Sequence, residues 1–157
     1  MSIPLIPETG YRELRKGRHS ERNRIYHVTT RTHGSVPVFS NFGDARILVR
    51  AIHRQQIDRH LDTLAYVVMP DHLHWLVQLT GDRSLSTCMN LVKSLSTREI
   101  HYKGRYRGKV WQRGFFDRAL RRDDDLPAVA RYIVANPLRA RLVGSVREFP
   151  FWDAKWI

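Results

Sequence analysis

The chain has 157 residues, 42% of them apolar, which suits one domain burying roughly 70% of its unfolded surface without covalent staples. Lys and Arg outnumber Asp and Glu by 27 to 15, for a net charge of +12, and most of the excess is Arg, whose planar fork matches phosphate oxygens. Nucleic acid is the expected partner, although a membrane surface or a ribosome-like scaffold also tolerates such charge. The single Cys88 excludes an internal disulfide and a cysteine-based zinc site. No apolar run reaches membrane-spanning length, and MSIPLIPETG lacks the order of a signal peptide, so the expected compartment is a reducing cytoplasm.

Residues 1–23 combine prolines with a basic run and little apolar periodicity, and they read as an arm. From Arg24 to Arg31, Tyr26, Val28 and Thr30 alternate with His27, Thr29 and Arg31, the pattern of a strand. Gly34 and Pro37 mark a loop, and Asp44 to His60 places Ile47, Leu48, Ala51, Ile52 and Gln55 on one helical face. Leu61 to Met69 reads as a second strand and His72 to Leu79 as a third, joined tightly at Pro70 and Asp71. Leu85, Cys88, Met89, Val92 and Leu95 repeat at helical spacing up to about Tyr102, and Gly104 and Gly108 follow in a basic loop. Val110 to Leu120 reads as a fourth strand interrupted at Gly114. A last helix is expected from Asp125 to Asn136, with Pro127 in its first turn and Pro137 ending it. The order strand–helix–strand–strand–helix–strand is the α+β, ferredoxin-like split βαβ arrangement, an antiparallel sheet with two helices on one face. The extra C-terminal helix is free to lie across the other. The domain is expected to run over 24–143, with 144–157 as a tail packed on it.

His72 and His74 stand two apart on a predicted strand, so their imidazoles share one sheet face, the one left free, at a spacing that lets both converge on one ion. By themselves they equally fit two partly exposed strand residues. Tyr132 and Asn136 are four apart on the last helix and share a face, while Val129 and Ile133 mark the stripe that packs down. Alone, Tyr132 fits a boundary residue with its hydroxyl in water, and Asn136 a helix terminator.

Combined, these signals carry a resemblance. His72-Leu73-His74 resembles the His-hydrophobic-His signature of the HUH nucleases, and VVMPDHLHWLVQL (67–79), VWQRGFFDRALR (110–121) and YIVANPLRARLV (132–143) resemble motifs of the REP-associated tyrosine transposases, single-tyrosine members of that group. The similarity runs from about Arg24 to Trp152. It implies that Tyr132 is the nucleophile, that His72 and His74 hold a divalent metal, and that Asn136 adds an amide-oxygen ligand. Two imidazoles and an amide leave coordination positions open for water and phosphate, which suits Mg2+ or Mn2+ better than zinc. The implied activity is cleavage and rejoining of single-stranded DNA at repetitive extragenic palindromic (REP) hairpins in a bacterial cytoplasm, at the nucleoid, through a 5′-phosphotyrosine. A monomer is expected, with a helix-swapped dimer as the alternative.

Phosphate contacts are expected from the arm (Arg12, Arg15, Lys16, Arg18, Arg22, Arg24) and from the loop carrying Lys103, Arg105, Arg107, Lys109 and Arg113. Tyr102, Tyr106 and Trp111 are interleaved with the second cluster and are candidates for base stacking, although Trp111 equally suits the core. A non-catalytic nucleic-acid-binding module on the same sheet is the main alternative function, but it leaves His72, His74 and Tyr132 unexplained. A plasmid-type initiator or relaxase is a second, for which the chain has little room.

Overall fold

A computed structural model describes residues 20–157, so Arg12, Arg15, Lys16 and Arg18 of the expected arm lie outside the described residues. In chain order the elements are β1 (Ile25–Arg31), α1 (Phe42–Ile57), β2 (Leu61–Met69), β3 (His72–Leu79), α2 (Leu85–Lys103), β4 (Phe116–Ala119), α3 (Leu126–Val134), a single helical turn α4 (Asn136–Arg139) and β5 (Trp152–Ala154). Side-chain caps start the main helices. The Asn41 oxygen accepts from the Asp44 N–H at 3.1 Å, Ser84 accepts from Thr87, and Asp125 accepts from Ala128 at 3.0 Å. Gly104 ends α2 in the left-handed region, at φ 72°, where a side chain is disfavoured.

All strand pairings are antiparallel, in the order β4-β1-β3-β2-β5. The first four form the ferredoxin-like sheet that the element order predicts. Each face has its own core. On one, Leu73, Trp75, Val77 and Leu79 of β3 pack with Ile47, Leu48 and Ile52 of α1 and with Leu85, Met89 and Val92 of α2. On the other, Leu76 of β3 and Val67 and Met69 of β2 pack with Ala130, Ile133 and Val134, a helical stripe of α3. The bulge between Thr63 and Ala65 lets Leu64 and Ala65 enter this second cluster together. In this way α3 is seated over the face that carries His72 and His74.

Two expectations need correction. The fourth strand is shorter than Val110–Leu120. Trp111 makes only an isolated bridge to Thr32, and Gly114, at φ 78°, turns the chain before β4 begins at Phe116. Lys93 holds this turn by donating to the Gln112 carbonyl at 3.0 Å and to that of Gly114. Pro137 does not stop the chain: α3 ends at Val134, and Pro137 sits in the first turn of α4. A proline there has the right φ and lacks only an N–H that a first turn leaves unbonded anyway, so it restarts the helix. The tail also supplies a fifth strand. Trp152, Asp153 and Ala154 pair with Val67, Tyr66 and Ala65. Three residues are too few to show alternation in a sequence.

Arg105 folds onto α1. Its Nε and Nη2 donate to the Asp44 carboxylate at 3.0 and 2.8 Å, and Asp44 is only 2% exposed. Removing the guanidinium leaves a buried carboxylate without its counter-charge, a loss only partly offset by water because Arg105 is itself partly exposed. Arg105→Ala is expected to lower stability by about 1–3 kcal/mol in urea unfolding. An unchanged midpoint would mean that Asp44 is satisfied without Arg105.

Candidate active site

His72 and His74 lie side by side on β3, 8% and 5% exposed, with ring centroids 5.1 Å apart and planes nearly perpendicular. Buried imidazoles need partners, and neighbouring side chains supply them. The Asp71 Oδ1 accepts from His72 Nδ1 at 2.7 Å, while Asp71 Oδ2 faces Arg31 Nη1 at 3.4 Å. His74 Nδ1 lies 3.0 Å from His27 Nε2 and 3.1 Å from Thr29 Oγ1. The β1–β3 register, which sets Thr29 opposite His74 and Arg31 opposite His72, makes these contacts possible.

These contacts settle the tautomer of His72. A carboxylate only accepts, so Nδ1 carries the proton and Nε2 keeps its lone pair. That Nε2 is buried and has no hydrogen-bond partner among the described residues. A lone pair held in place, aimed and unpaired fits a metal ligand whose other nitrogen is oriented by a carboxylate. The polar contacts of His74 likewise run through Nδ1, which leaves its Nε2 for the same use. Among the described residues no group of three or more His, Cys, Asp or Glu gathers as a metal cage, so a third ligand from these residues would be of another type.

Asn136 is such a group. Its Nδ2 donates to the Ile133 carbonyl at 2.9 Å, which fixes the amide and leaves Oδ1 as an acceptor. Tyr132, one turn earlier on α3, is half-buried, and its hydroxyl makes no hydrogen bond among the described residues. The Arg139 guanidinium carbon stands 3.8 Å from the centre of its ring, and Arg139 Nη2 donates to the Tyr132 carbonyl at 2.7 Å. The charge of Arg139 also reaches His74. Of these neighbours, His27, Thr29 and Arg139 are not signalled by the sequence. The first two share the β1 face with Arg31, but only the register sets them against the imidazoles.

The basic residues divide. Lys103, Arg107 and Arg113 are exposed, Arg24 pairs with Glu21 at 3.0 Å, and Arg22 pairs loosely with Asp82 at 3.6 Å. Lys109 is exposed and has contacts of its own within the fold. Arg105 is committed to Asp44. Trp111 is core: it is 5% exposed, stacks with Phe39 and donates to the Ser96 hydroxyl at 3.0 Å. Tyr106 packs on the same core, and Tyr102 stands 85% exposed.

Burial keeps all three imidazoles neutral. It pushes His74 down to about 2, helped by the neighbouring His27 and His72, and pushes His27 down to about 4, helped by Arg118. Burial also lowers His72, against the opposing pull of Asp71. In the unfolded chain these groups take protons near pH 6.5, so the folded state keeps its full stability above that pH. It loses stability as pH falls below 6.5, down to about 4 for His27 and about 2 for His74. Metal-free protein is expected to be about 2–4 kcal/mol less stable to urea at pH 5 than at pH 7, and His27→Gln is expected to shrink the difference. Equal stability at both pH values would contradict burial of the imidazoles in neutral form.

The family model described as "Transposase IS200 like" matches residues 20–136. A Haemophilus influenzae relative, provisionally named a REP-associated tyrosine transposase, is 28% identical over 113 residues, covering 65% of this chain and 64% of the relative. The REP-associated tyrosine transposase of Escherichia coli K12 is 30% identical over 107 residues, covering 68% of this chain and 62% of that protein. The chain thus spans a little under two thirds of the length of the curated relatives it matches. A solved structure of a REP-associated tyrosine transposase bound to a REP hairpin superposes with a TM-score of 0.69 at 26% identity, covering 86% of this chain and 79% of that one. Matched by that model over more than half of its length, the chain belongs to the IS200-like transposase family.

Proposed function

We propose that this chain cleaves and rejoins single-stranded DNA at hairpins of the REP type, with Tyr132 as nucleophile. The observation that carries the reading is the His72 Nε2 lone pair, buried and without a partner among the described residues, on the sheet face that the Tyr132 helix covers. The related structure bound to a REP hairpin supports the substrate class. His72 and His74, with Asn136 Oδ1 as third ligand, would hold Mg2+ or Mn2+. Such an ion, when bound, neutralises charge on the scissile phosphate.

The rest falls to the protein. The Tyr132 oxygen attacks phosphorus, its proton passes to solvent, and the P–O3′ bond breaks as the 3′ oxygen takes up a proton. One phosphodiester is exchanged for another, so a second 3′-hydroxyl can reverse the step on a new strand without ATP. With α3 seated on its own chain's sheet, nucleophile and imidazoles come from one copy, which supports a monomer. Residues 24–143 would form the catalytic domain, with 1–23 as a basic arm and 144–157 as the tail that contributes β5.

Tyr132→Phe is expected to abolish the covalent protein–DNA band on a denaturing gel while hairpin affinity stays within about threefold, because only one hydroxyl is lost. Chelation should remove the band from the unaltered protein, and Mn2+ or Mg2+ should restore it. A band from the Phe variant, or full cleavage in chelator, would contradict the assignments.

Phosphate contact is assigned to the arm residues Arg12, Arg15, Lys16, Arg18, Arg22 and Arg24 and to Lys103, Arg107, Lys109 and Arg113. Arg105 is set aside because Asp44 engages it. Hairpin affinity is therefore expected to fall steeply with salt, and replacing Arg107 and Arg113 together by Ala should reduce the slope of log K against log salt by roughly 1–2. A slope unchanged by the double substitution would remove this loop from the docking surface.

A further inference from the structure

Several arginines among the described residues face a carboxylate. Arg24 faces Glu21, Arg31 faces Asp71, Arg50 faces Glu99, Arg54 faces Asp58 and Arg105 faces Asp44. Arg139 is held differently. It leaves the turn α4 and folds back along α3, with its guanidinium 3.8 Å over the Tyr132 ring and one Nη2 bond of 2.7 Å to the Tyr132 carbonyl. No carboxylate comes within ion-pair reach of it among the described residues. Its remaining N–H donors have no protein acceptor there either.

The location gives this meaning. Two guanidinium groups act electrostatically on His74, those of Arg139 and Arg31. The Arg31 charge is balanced by Asp71, so Arg139 brings the unbalanced positive charge to the imidazole pair. A cation stacked on a phenol ring is held by the ring's negative face, and its in-plane N–H groups stay directed outward. A guanidinium fixed in this way presents a fork suited to phosphate oxygens. It lies over the ring whose hydroxyl would attack, and its charge reaches His74. The Asn136-Pro137 restart builds the arrangement, because the one-turn α4 carries Arg139 back beside Tyr132, seven residues earlier.

We infer that Arg139 is a second cationic group of the cleavage site, clamping the Tyr132 ring and contacting the phosphate that Tyr132 attacks. This rests on the reading of Tyr132 as nucleophile, and the test separates the two. The unaltered protein is first incubated with a hairpin oligonucleotide and Mn2+, and the cleavage position is mapped from the adduct. Affinities are then measured in chelator, so that no ion competes for the phosphate, in the Tyr132→Phe background, which keeps the ring and cannot cleave. The probes are the same oligonucleotide with its normal phosphate and one with a single uncharged methylphosphonate at the mapped position. Each is tested with Arg139 present and with Arg139→Ala.

With Arg139 present, the neutral linkage is expected to weaken binding about tenfold, and with Arg139→Ala the two probes should bind alike within about twofold, because the charge they compete for is gone. Arg139→Lys should keep part of the discrimination, since it retains the charge without the fork. A purely structural role would weaken both probes equally and give no such coupling. The inference is overturned by the same methylphosphonate penalty in both backgrounds, or by no penalty in either. An adduct that depends on Tyr132, found without coupling, overturns Arg139 alone. No adduct at all overturns the reading of Tyr132 and the inference with it.

Discussion

The site depends on two imidazoles held nearly dry in the middle of a five-stranded sheet. Burying a polar ring is unfavourable unless its nitrogens are satisfied, and here the satisfaction is deliberately incomplete. Asp71 takes the His72 Nδ1 proton, and His27 and Thr29 take up His74 Nδ1. The Nε2 atoms are what remains, and that of His72 has no partner among the described residues. Desolvation keeps both rings neutral, the form a metal ligand requires.

Everything around them serves to maintain that environment. The helices α1 and α2 fill one face of the sheet with aliphatic side chains and Met89, which pack on the strands that set the register. That register sets β1 residues against β3 residues, so His27 and Thr29 meet His74. On the other face Ala130, Ile133 and Val134 anchor α3 over Leu76, Val67 and Met69, so the helix that carries Tyr132 covers the same sheet face as the histidine pair. The IS200-like match ends at residue 136, the fixed amide of Asn136, and Arg139 lies just beyond it.

The sequence makes the sheet and its helices legible because the apolar periods are long and clean. In β3, Leu73, Trp75, Val77 and Leu79 declare one face, and by elimination His72 and His74 must occupy the other. Tyr132 and Asn136 are legible as a shared helix edge, although only the resemblance gives that edge a purpose. The β5 strand is hidden because three residues carry no periodicity, and the early end of β4 because Gly114 and Lys93 act through a turn that no local pattern announces. Pro137 misleads because a proline forbids the helical interior and favours a first turn with equal force. His27 and Arg139 are hidden for another reason: each matters through a partner, 47 residues away for His27 and across a helix break for Arg139. Long-range pairing of this kind is set by register and packing, which single-residue patterns do not encode.

Binding of one ion by His72 and His74 requires both Nε2 atoms to turn toward a common point on the sheet face that α3 covers. Anomalous diffraction from crystals of this protein soaked in Mn2+ tests it most directly. One strong peak is expected, bonded to His72 Nε2 and His74 Nε2, with the Asn136 side-chain oxygen turned toward it. A peak bonded to other residues, or a histidine pair that stays metal-free at saturating Mn2+, would contradict it.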